Sequence, residues 1–380
     1  MYHLNLPNLS KLEKKYLNDS FDKGWLSSSG KHTQLLEKKV SKFIGVKYCV
    51  AVQSGTAALH AALLGMGADK NSKIISPNYS CISNLSSIKQ CNSLPVLVDV
   101  ELETLGLDLK LLKKAISQTK PKIVQIVHVY GHPAKNTKEI INFCKSKKIL
   151  VLEDGSEALG ASINGKKIGS FGDVSVFSTR SEKMIGVGEG GLICTNNKKI
   201  FQKILLYCSR GAKERTKKDK YWKKYFISEH GFNYLLPHLL GAVGRGQIER
   251  FKKEILPKKI KVGELYREIF VENEKYKLIQ NEVKGNKSVY WLNGIYLKKL
   301  DKKKIFKLGE NLQKRGVEVR SGFWPLSDFK FFKSKLYLNG SSKKIFNKII
   351  VLPSNWLLKR KDILNIKKIL NTEIKKISGR

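Results

Sequence analysis

The chain has 380 residues, 41% of them hydrophobic and 9% aromatic, with 72 basic against 32 acidic residues and a net charge of +40. That length exceeds one ordinary core and predicts two domains, and the composition excludes a disordered chain. There is no run of about 18 apolar residues, and the N-terminal MYHLNLPNLSKLEKK lacks the apolar centre of a signal peptide, so a cytoplasmic protein without membrane insertion is expected.

In chain order, TQLLEKKVSKFIG (33–45) carries apolar residues at helical spacing and stops at a glycine. YCVAVQSG (48–55) reads as a strand and TAALHAALLGMG (56–67) as a helix. SKIISP (72–77) and LPVLVDV (94–100) read as strands, followed by a helix at DLKLLKKAI (108–116) and a strand at KIVQIVHVY (122–130). TKEIINFCKSKK (137–148) is a helix pattern. ILVLED (149–154), VSVFS (174–178) and GLICTN (191–196) are strand patterns. Apolar strands separated by helices predict an α/β domain with a largely parallel sheet covered on both faces.

The charged stretch SRGAKERTKKDKYWKKYF (209–226) has no clear period and reads as a loop or excursion. From about residue 245, GQIERFKKEILPKKIKVGELYREIF reads as helix. Strand-like SVYWLNGIYL and helix-like DKKKIFKLGENLQKRG then predict a smaller α+β domain. No internal repeat occurs.

The lysines are spread in pairs and triplets such as LEKKV and LDKKKIF, mostly on what read as solvent faces of helices, so no nucleic-acid partner is expected. The field would still attract an anionic substrate. The six cysteines show no CxxC pair and no metal spacing. They read as buried free thiols, and no metal is expected.

In a parallel sheet, ligands collect at the carboxyl ends of strands, and three strand ends carry polar residues. At QSGTAALHAAL, Ser54-Gly55-Thr56 opens a helix. Exposed N–H groups there can cradle phosphate, or a Ser or Thr can simply cap the helix. At VLEDGSEALGA, Glu153 and Asp154 end a strand, with Glu157 three residues on. A carboxylate here can cap a helix or pair with a cationic ring nitrogen. At FSTRSEKMIGVGEGG, Ser178 ends a strand and Lys183 follows, ahead of Gly186, Gly188, Gly190 and Gly191. This does not match a phosphate loop, in which glycine precedes the lysine and Ser or Thr follows it. A lysine in a cleft can instead act as a nucleophile. Phosphate nest, strand-end carboxylate, serine and lysine together are the set that pyridoxal 5'-phosphate requires.

On these blocks, and on GWLSSSGKHTQLLEKKVSKFIGVKYCVAV, GFNYLLPHLLGAVGRGQIER, GVEVRSGFWPLS and VLPSNW, the chain resembles the DegT/DnrJ/EryC1/StrS family of pyridoxal-phosphate-dependent sugar aminotransferases. The resemblance implies fold type I, the aspartate aminotransferase-like fold. A large domain (1–245) would carry a mostly parallel seven-stranded sheet, and residues 246–380 would form a small C-terminal domain. It implies that Lys183 bonds the cofactor's aldehyde and shuttles protons, that Asp154 pairs with its ring nitrogen, and that Glu157 lies beside its ring hydroxyl. Gly55, Thr56, Ala57 and Ser178 would cradle its phosphate. Asn233 would reach the phosphate of the neighbouring subunit, which implies a homodimer with shared sites.

Two positions depart from the family pattern. Cys81 stands where relatives place a ring-stacking aromatic residue, so either Tyr79 covers the ring or a thiol contact suffices. Leu235 replaces the arginine of the usual NYR. Lysine is retained where dehydratase relatives carry histidine, which implies transamination. GVEVRSGFWPLS and EDGSEALGA resemble blocks of the perosamine-forming members. The expected reaction moves the amino group of L-glutamate to C4 of a nucleotide-linked 4-keto-6-deoxy sugar, GDP-4-keto-6-deoxy-D-mannose. A UDP-linked 4-keto-6-deoxy-N-acetylhexosamine, or amination at C3, is the alternative. Arg320 could meet the diphosphate or sugar and Trp324 could line the sugar pocket. Surface pairing and core packing are their competing readings. A non-catalytic regulator or nucleic-acid binder on the same fold is the rival of another class, against which the intact Lys183, Asp154 and Ser178 set weighs.

Overall fold

The computed structural model describes residues 1–28, 30–212, 227, 229–280 and 282–378; from residue 213 onward the expected 209–226 excursion lies outside the described residues. In chain order, the first unit contains α1 (Lys11–Asp22), α2 (Lys31–Ile44), β1 (Tyr48–Val52), α3 (Gly55–Gly65), β2 (Lys73–Pro77), α4 (Ile82–Gln90), β3 (Leu94–Val98), α5 (Leu109–Thr119), β4 (Ile123–Val127), α6 (Thr137–Ser146) and β5 (Leu150–Asp154). It continues with the short strands β6 (Ser162–Ile163) and β7 (Lys166–Lys167), then β8 (Val174–Ser178), β9 (Gly191–Thr195) and α7 (Lys198–Cys208).

The caps explain several boundaries. Ser54 is extended and its hydroxyl accepts the Ala57 N–H at the start of α3. Asp108 caps α5 in the same way. Gly45, with φ +88°, ends α2 in the left-handed conformation that costs glycine least. Helix α3 is buried on nearly every side because it is wedged between the sheet and helices α4 and α7.

Helix α8 (His238–Arg250) packs on α1 and α2, and the expected division at 245/246 falls within it. It runs through a π turn (Phe251–Ile255) into α9 (Leu256–Ile269). The widened turn comes just before Pro257, which supplies no N–H to the turn behind it. Beyond lie β10 (Tyr276–Leu278), β11 (Asn286–Lys287), β12 (Asn293–Leu297), α10 (Lys302–Lys314), β13 (Arg320–Ser321), β14 (Lys335–Tyr337), α11 (Ser341–Phe346), β15 (Ile349–Leu352) and α12 (Arg360–Ser378).

The main sheet has the order β1-β9-β8-β5-β4-β2-β3-β14. Strand β9 is antiparallel to both its neighbours, and the others share one direction. The seven strands expected of the large domain are present. The C-terminal segment adds an eighth, β14, parallel to β3 at the edge. A separate antiparallel sheet, β10-β12-β15-β13, packs with α9, α10 and α12 around a second core reaching from Val262 to Ile374. The N-terminal arm lies on this second unit: Tyr2 bridges Val317, and the Leu4 carbonyl accepts the Ser354 N–H.

This topology places the site. With β1, β2, β4, β5 and β8 all running one way, their carboxyl ends open onto a single edge. No helix among the described residues is long and apolar enough to cross a membrane.

Candidate active site

A cleft of about 340 Å³ opens at that edge. Each strand delivers residues to it: Ser54, Gly55 and Thr56 after β1; Cys81, Ser83 and Asn84 after β2; His128 after β4; Asp154 at the end of β5 and Glu157 beyond it; and Ser178 at the end of β8, with Arg180 and Lys183 beyond it. The second unit closes it with Trp291, Arg320 and Phe323.

Lys183 is largely buried, with its side chain 11% exposed. Its Nζ lies 3.2 Å from Glu157 Oε1 and 3.4 Å from the centre of the Trp291 ring. The glycines behind it serve the return of the chain. Gly188 has φ +109°, and a side chain on Gly191 would meet the Ser54 carbonyl at 2.5 Å. Glycine thus lets β9 run directly against the residue that opens α3.

Asp154 and Glu153 point to opposite faces of the sheet, as neighbours on a strand must. Asp154 Oδ2 accepts Asn84 Nδ2 at 2.8 Å and Oδ1 accepts the Ser156 N–H at 2.9 Å, which fixes the carboxylate at the cleft. Glu153 turns inward. It meets His128 Nε2 at 3.2 Å and accepts the N–H groups of Gly169, Phe171 and Gly172. Burial pushes its carboxyl up, but His128 and these N–H groups outweigh burial and hold it below its ordinary value. Glu153 therefore organises the 169–172 turn.

Glu157 Oε2 accepts the Tyr130 N–H at 2.7 Å. Tyr130 has φ +55°, a left-handed conformation that is strained for a non-glycine residue. Burial raises the Glu157 carboxyl above its usual value, against the pull of Lys183 and that N–H.

At the opening of α3, Gly55 lies beside Ser178, and a side chain on Gly55 would come within 3.1 Å of Ser178 Cβ. Thr56 Oγ1 donates to Ser83 Oγ at 2.9 Å. Ala57 does not line the cleft. It is buried and its N–H is taken by Ser54 Oγ, so the capping and phosphate-binding readings divide this turn between them. Gly55, Thr56 and Ser178 remain facing the cleft.

Cys81 lines the cleft and is exposed, unlike the other five cysteines, and none of the six forms a disulfide. Tyr79 does not cover the cleft. It is fully buried, with its hydroxyl 3.1 Å from that of Tyr130 and accepting the Phe323 N–H. Arg320 lines the cleft and an adjoining hollow of about 220 Å³. Trp324 points elsewhere: it lies 4.3 Å from Phe346 between ring centres, with Lys302 Nζ 4.4 Å away. From that loop Phe323 reaches the cleft, stacked on Tyr130. Asn233 is exposed and outside this cleft, beside the end of β1, where the Tyr234 carbonyl accepts the Gln53 N–H. Leu235 packs against β1, bridged to Val52.

Asn84, Trp291, Phe323 and Arg180 were not foreseen as site residues. Asn84 carries a faint signal, a polar side chain in the first turn of a helix after a strand end. Trp291 and Phe323 carry none, because their positions come from packing between the two units.

The donors and charges suit pyridoxal phosphate. There is a narrow glycine cradle flanked by two hydroxyls, a fixed carboxylate, and a lysine amine lining the same cleft. Fold and site together define a pyridoxal-phosphate-dependent aminotransferase. The chain belongs to the DegT/DnrJ/EryC1/StrS aminotransferase family, whose model matches residues 7–371. It is 33% identical to the GDP-perosamine synthase of Vibrio cholerae over 84% of both chains, and 28% identical to that of Escherichia coli O157:H7 over 96% of both. It is 27% identical to the UDP-4-amino-4,6-dideoxy-N-acetyl-beta-L-altrosamine transaminase of Campylobacter jejuni over 81% of this chain and 80% of that one. Among solved structures it resembles the Helicobacter pylori aminotransferase PseC (TM-score 0.86, 24% identity, 99% of both chains). It also resembles the E. coli GDP-4-keto-6-deoxy-D-mannose-3-dehydratase with bound hydrated PLP (TM-score 0.87, 23% identity, 97% of this chain and 99% of that one).

Proposed function

We propose that the enzyme transfers the amino group of L-glutamate to C4 of GDP-4-keto-6-deoxy-D-mannose, forming GDP-perosamine. The observation that carries this reading is the 33% identity to the Vibrio cholerae GDP-perosamine synthase over 84% of both chains. When bound, pyridoxal phosphate supplies an aldehyde that accepts the amino group and a cationic ring that takes up electrons.

Gly55, Thr56 and Ser178 hold the phosphate, joined by Asn233 of a second subunit in a homodimer. Asp154, kept in place by Asn84, offers an anion to the ring nitrogen. Lys183 Nζ provides the amine, and then collects and returns a proton at the reacting carbon. Glu157 Oε1, 3.2 Å away, pairs with that amine. Arg320, at the mouth of the cleft, pairs with the substrate diphosphate.

The experiment is a panel of nucleotide-linked ketosugars incubated with enzyme, cofactor and glutamate, with products read by mass spectrometry. The GDP-linked 4-keto-6-deoxy sugar gains an amino group and 2-oxoglutarate appears. Turnover of only a UDP-linked 4-keto-6-deoxy-N-acetylhexosamine would overturn the assignment. It would favour the second reading, which the Campylobacter jejuni relative supports.

A further inference from the structure

The peptide carbonyl of Glu182, one residue before Lys183, accepts two side-chain hydrogen bonds from distant parts of the chain. Asn5 Nδ2 donates at 2.5 Å and Trp291 Nε1 at 2.6 Å. Both lone pairs of that oxygen are thereby used. The ring of the same Trp291 lies 3.4 Å from Lys183 Nζ. The other amide atom of Asn5, Oδ1, accepts the Leu6 N–H at 3.1 Å and Lys259 Nζ at 3.2 Å. Lys259 is buried and also donates to the Ser354 carbonyl. The N-terminal arm and the segment before β12 thus meet at one peptide bond beside the lysine, and Lys259 of α9, itself bonded to the segment after β15, braces the arm.

We propose that Asn5 and Trp291 form a clamp that positions Lys183, a role that rests on Lys183 being the catalytic lysine. Lys183 must leave and regain the same bonding position in every cycle, and four glycines within six positions follow it closely. Behind it the side chain of Gln247 accepts the Gly186 N–H and donates to the Gly186 carbonyl, so the placement of Lys183 depends on what holds the chain on both sides. The clamp holds the peptide immediately before it. A displacement of about 1 Å at a reacting group can cost about 100-fold in rate. Trp291 has a second part, since its ring face covers the Lys183 amine at 3.4 Å. Asn5 and Trp291 are positioning residues and do none of the bond-making.

The test uses the full-length protein and separates the two parts. Asn5→Ala removes one donor; Trp291→Phe removes the other and keeps a ring; Trp291→Leu removes both donor and ring. In cofactor-free protein, the rate of acetylation of Lys183 by acetic anhydride at one fixed pH is read by peptide mass spectrometry. In the loaded enzyme, kcat and KM for glutamate are measured alongside melting temperature. The clamp predicts that Asn5→Ala and Trp291→Phe lower kcat by about 10-fold or more with KM within about twofold. It predicts that Asn5→Gln, which keeps the donor, recovers part of the loss. Trp291→Leu alone, which removes the ring over the amine, raises the acetylation rate, by about twofold or more. If Asn5→Ala and Trp291→Phe lower melting temperature while kcat stays within twofold of the parent, the role is merely structural and the proposal is overturned. An unchanged acetylation rate in Trp291→Leu overturns the ring's part. Should Trp291→Phe fail to fold, Asn5→Ala decides alone. Failure of the aminotransferase reading itself would appear as no turnover by the parent enzyme, while the acetylation rate of cofactor-free protein would still report on the ring.

Discussion

Glu153 and Asp154 are adjacent, chemically alike and both buried, yet they do different work because a strand sends successive side chains to opposite faces. Asp154 faces the cleft and is steadied by Asn84, while Glu153 faces His128 and the 169–172 turn. Their amides should therefore separate function from stability. Asp154→Asn keeps the fold and melting temperature but loses the anion, so cofactor affinity and turnover collapse. Glu153→Gln leaves cofactor binding in the folded protein near normal and lowers stability by about 2 kcal/mol, the scale of hydrogen bonds to a charged group. Since Glu153 is held below its ordinary value, its contribution is full at neutral pH and disappears as pH falls through the lowered value. The Glu153→Gln deficit should thus shrink in acid. Chemical denaturation at neutral and acid pH, with cofactor titration, checks both variants, and a Glu153→Gln protein as stable as the parent would contradict the assignment. The strand end was legible in ILVLED, but the sorting of the two carboxylates needed the partners. Asn84 lies 70 positions from Asp154, and no local pattern links them.

Among the elements, the strands were the most legible. Runs such as Ile123–Val127 are buried throughout and apolar at all but Gln125 because both sheet faces are covered. Strand β14 was not legible, because its three residues form an edge strand with little burial. Helix α9 carries a cost that its sequence hides: Lys259 is buried beneath the N-terminal arm, and burial lowers its amine from the usual 10.5 to about 7. The folded state resists charging this lysine, whereas the unfolded chain charges it freely. Between pH 10.5 and 7 the unfolded state therefore binds more protons, and stability falls as pH is lowered through that window. Lys259→Met removes the effect. The melting temperature of the parent should rise from about pH 7 toward pH 10 relative to Lys259→Met. Parallel curves for the two proteins would mean that the lysine is charged in the fold, held by Asn5 and Ser354.

For the whole molecule, two cores meet across one cleft, with the first supplying the chemistry and the second a wall. The order of polar strand ends made the first half legible, because parallel strands must bring their carboxyl ends together. Trp291 escaped notice because its hydrogen-bond partner is 109 positions away and its place depends on how the units pack. Trp324, read either as lining the sugar pocket or as packing, lies against Phe346, while Phe323 of the same loop after β13 turns inward. The net charge of +40 gives the molecule as a whole a field that attracts anions. It also makes the identity of one lysine the sharpest question, in a chain with 72 basic residues. The direct measurement is borohydride reduction of the protein loaded with pyridoxal phosphate, followed by peptide mass spectrometry. The cofactor mass should fall on the peptide containing Lys183, in a ratio near one per chain, and vanish in Lys183→Ala; stable labelling centred on any other lysine would contradict the account.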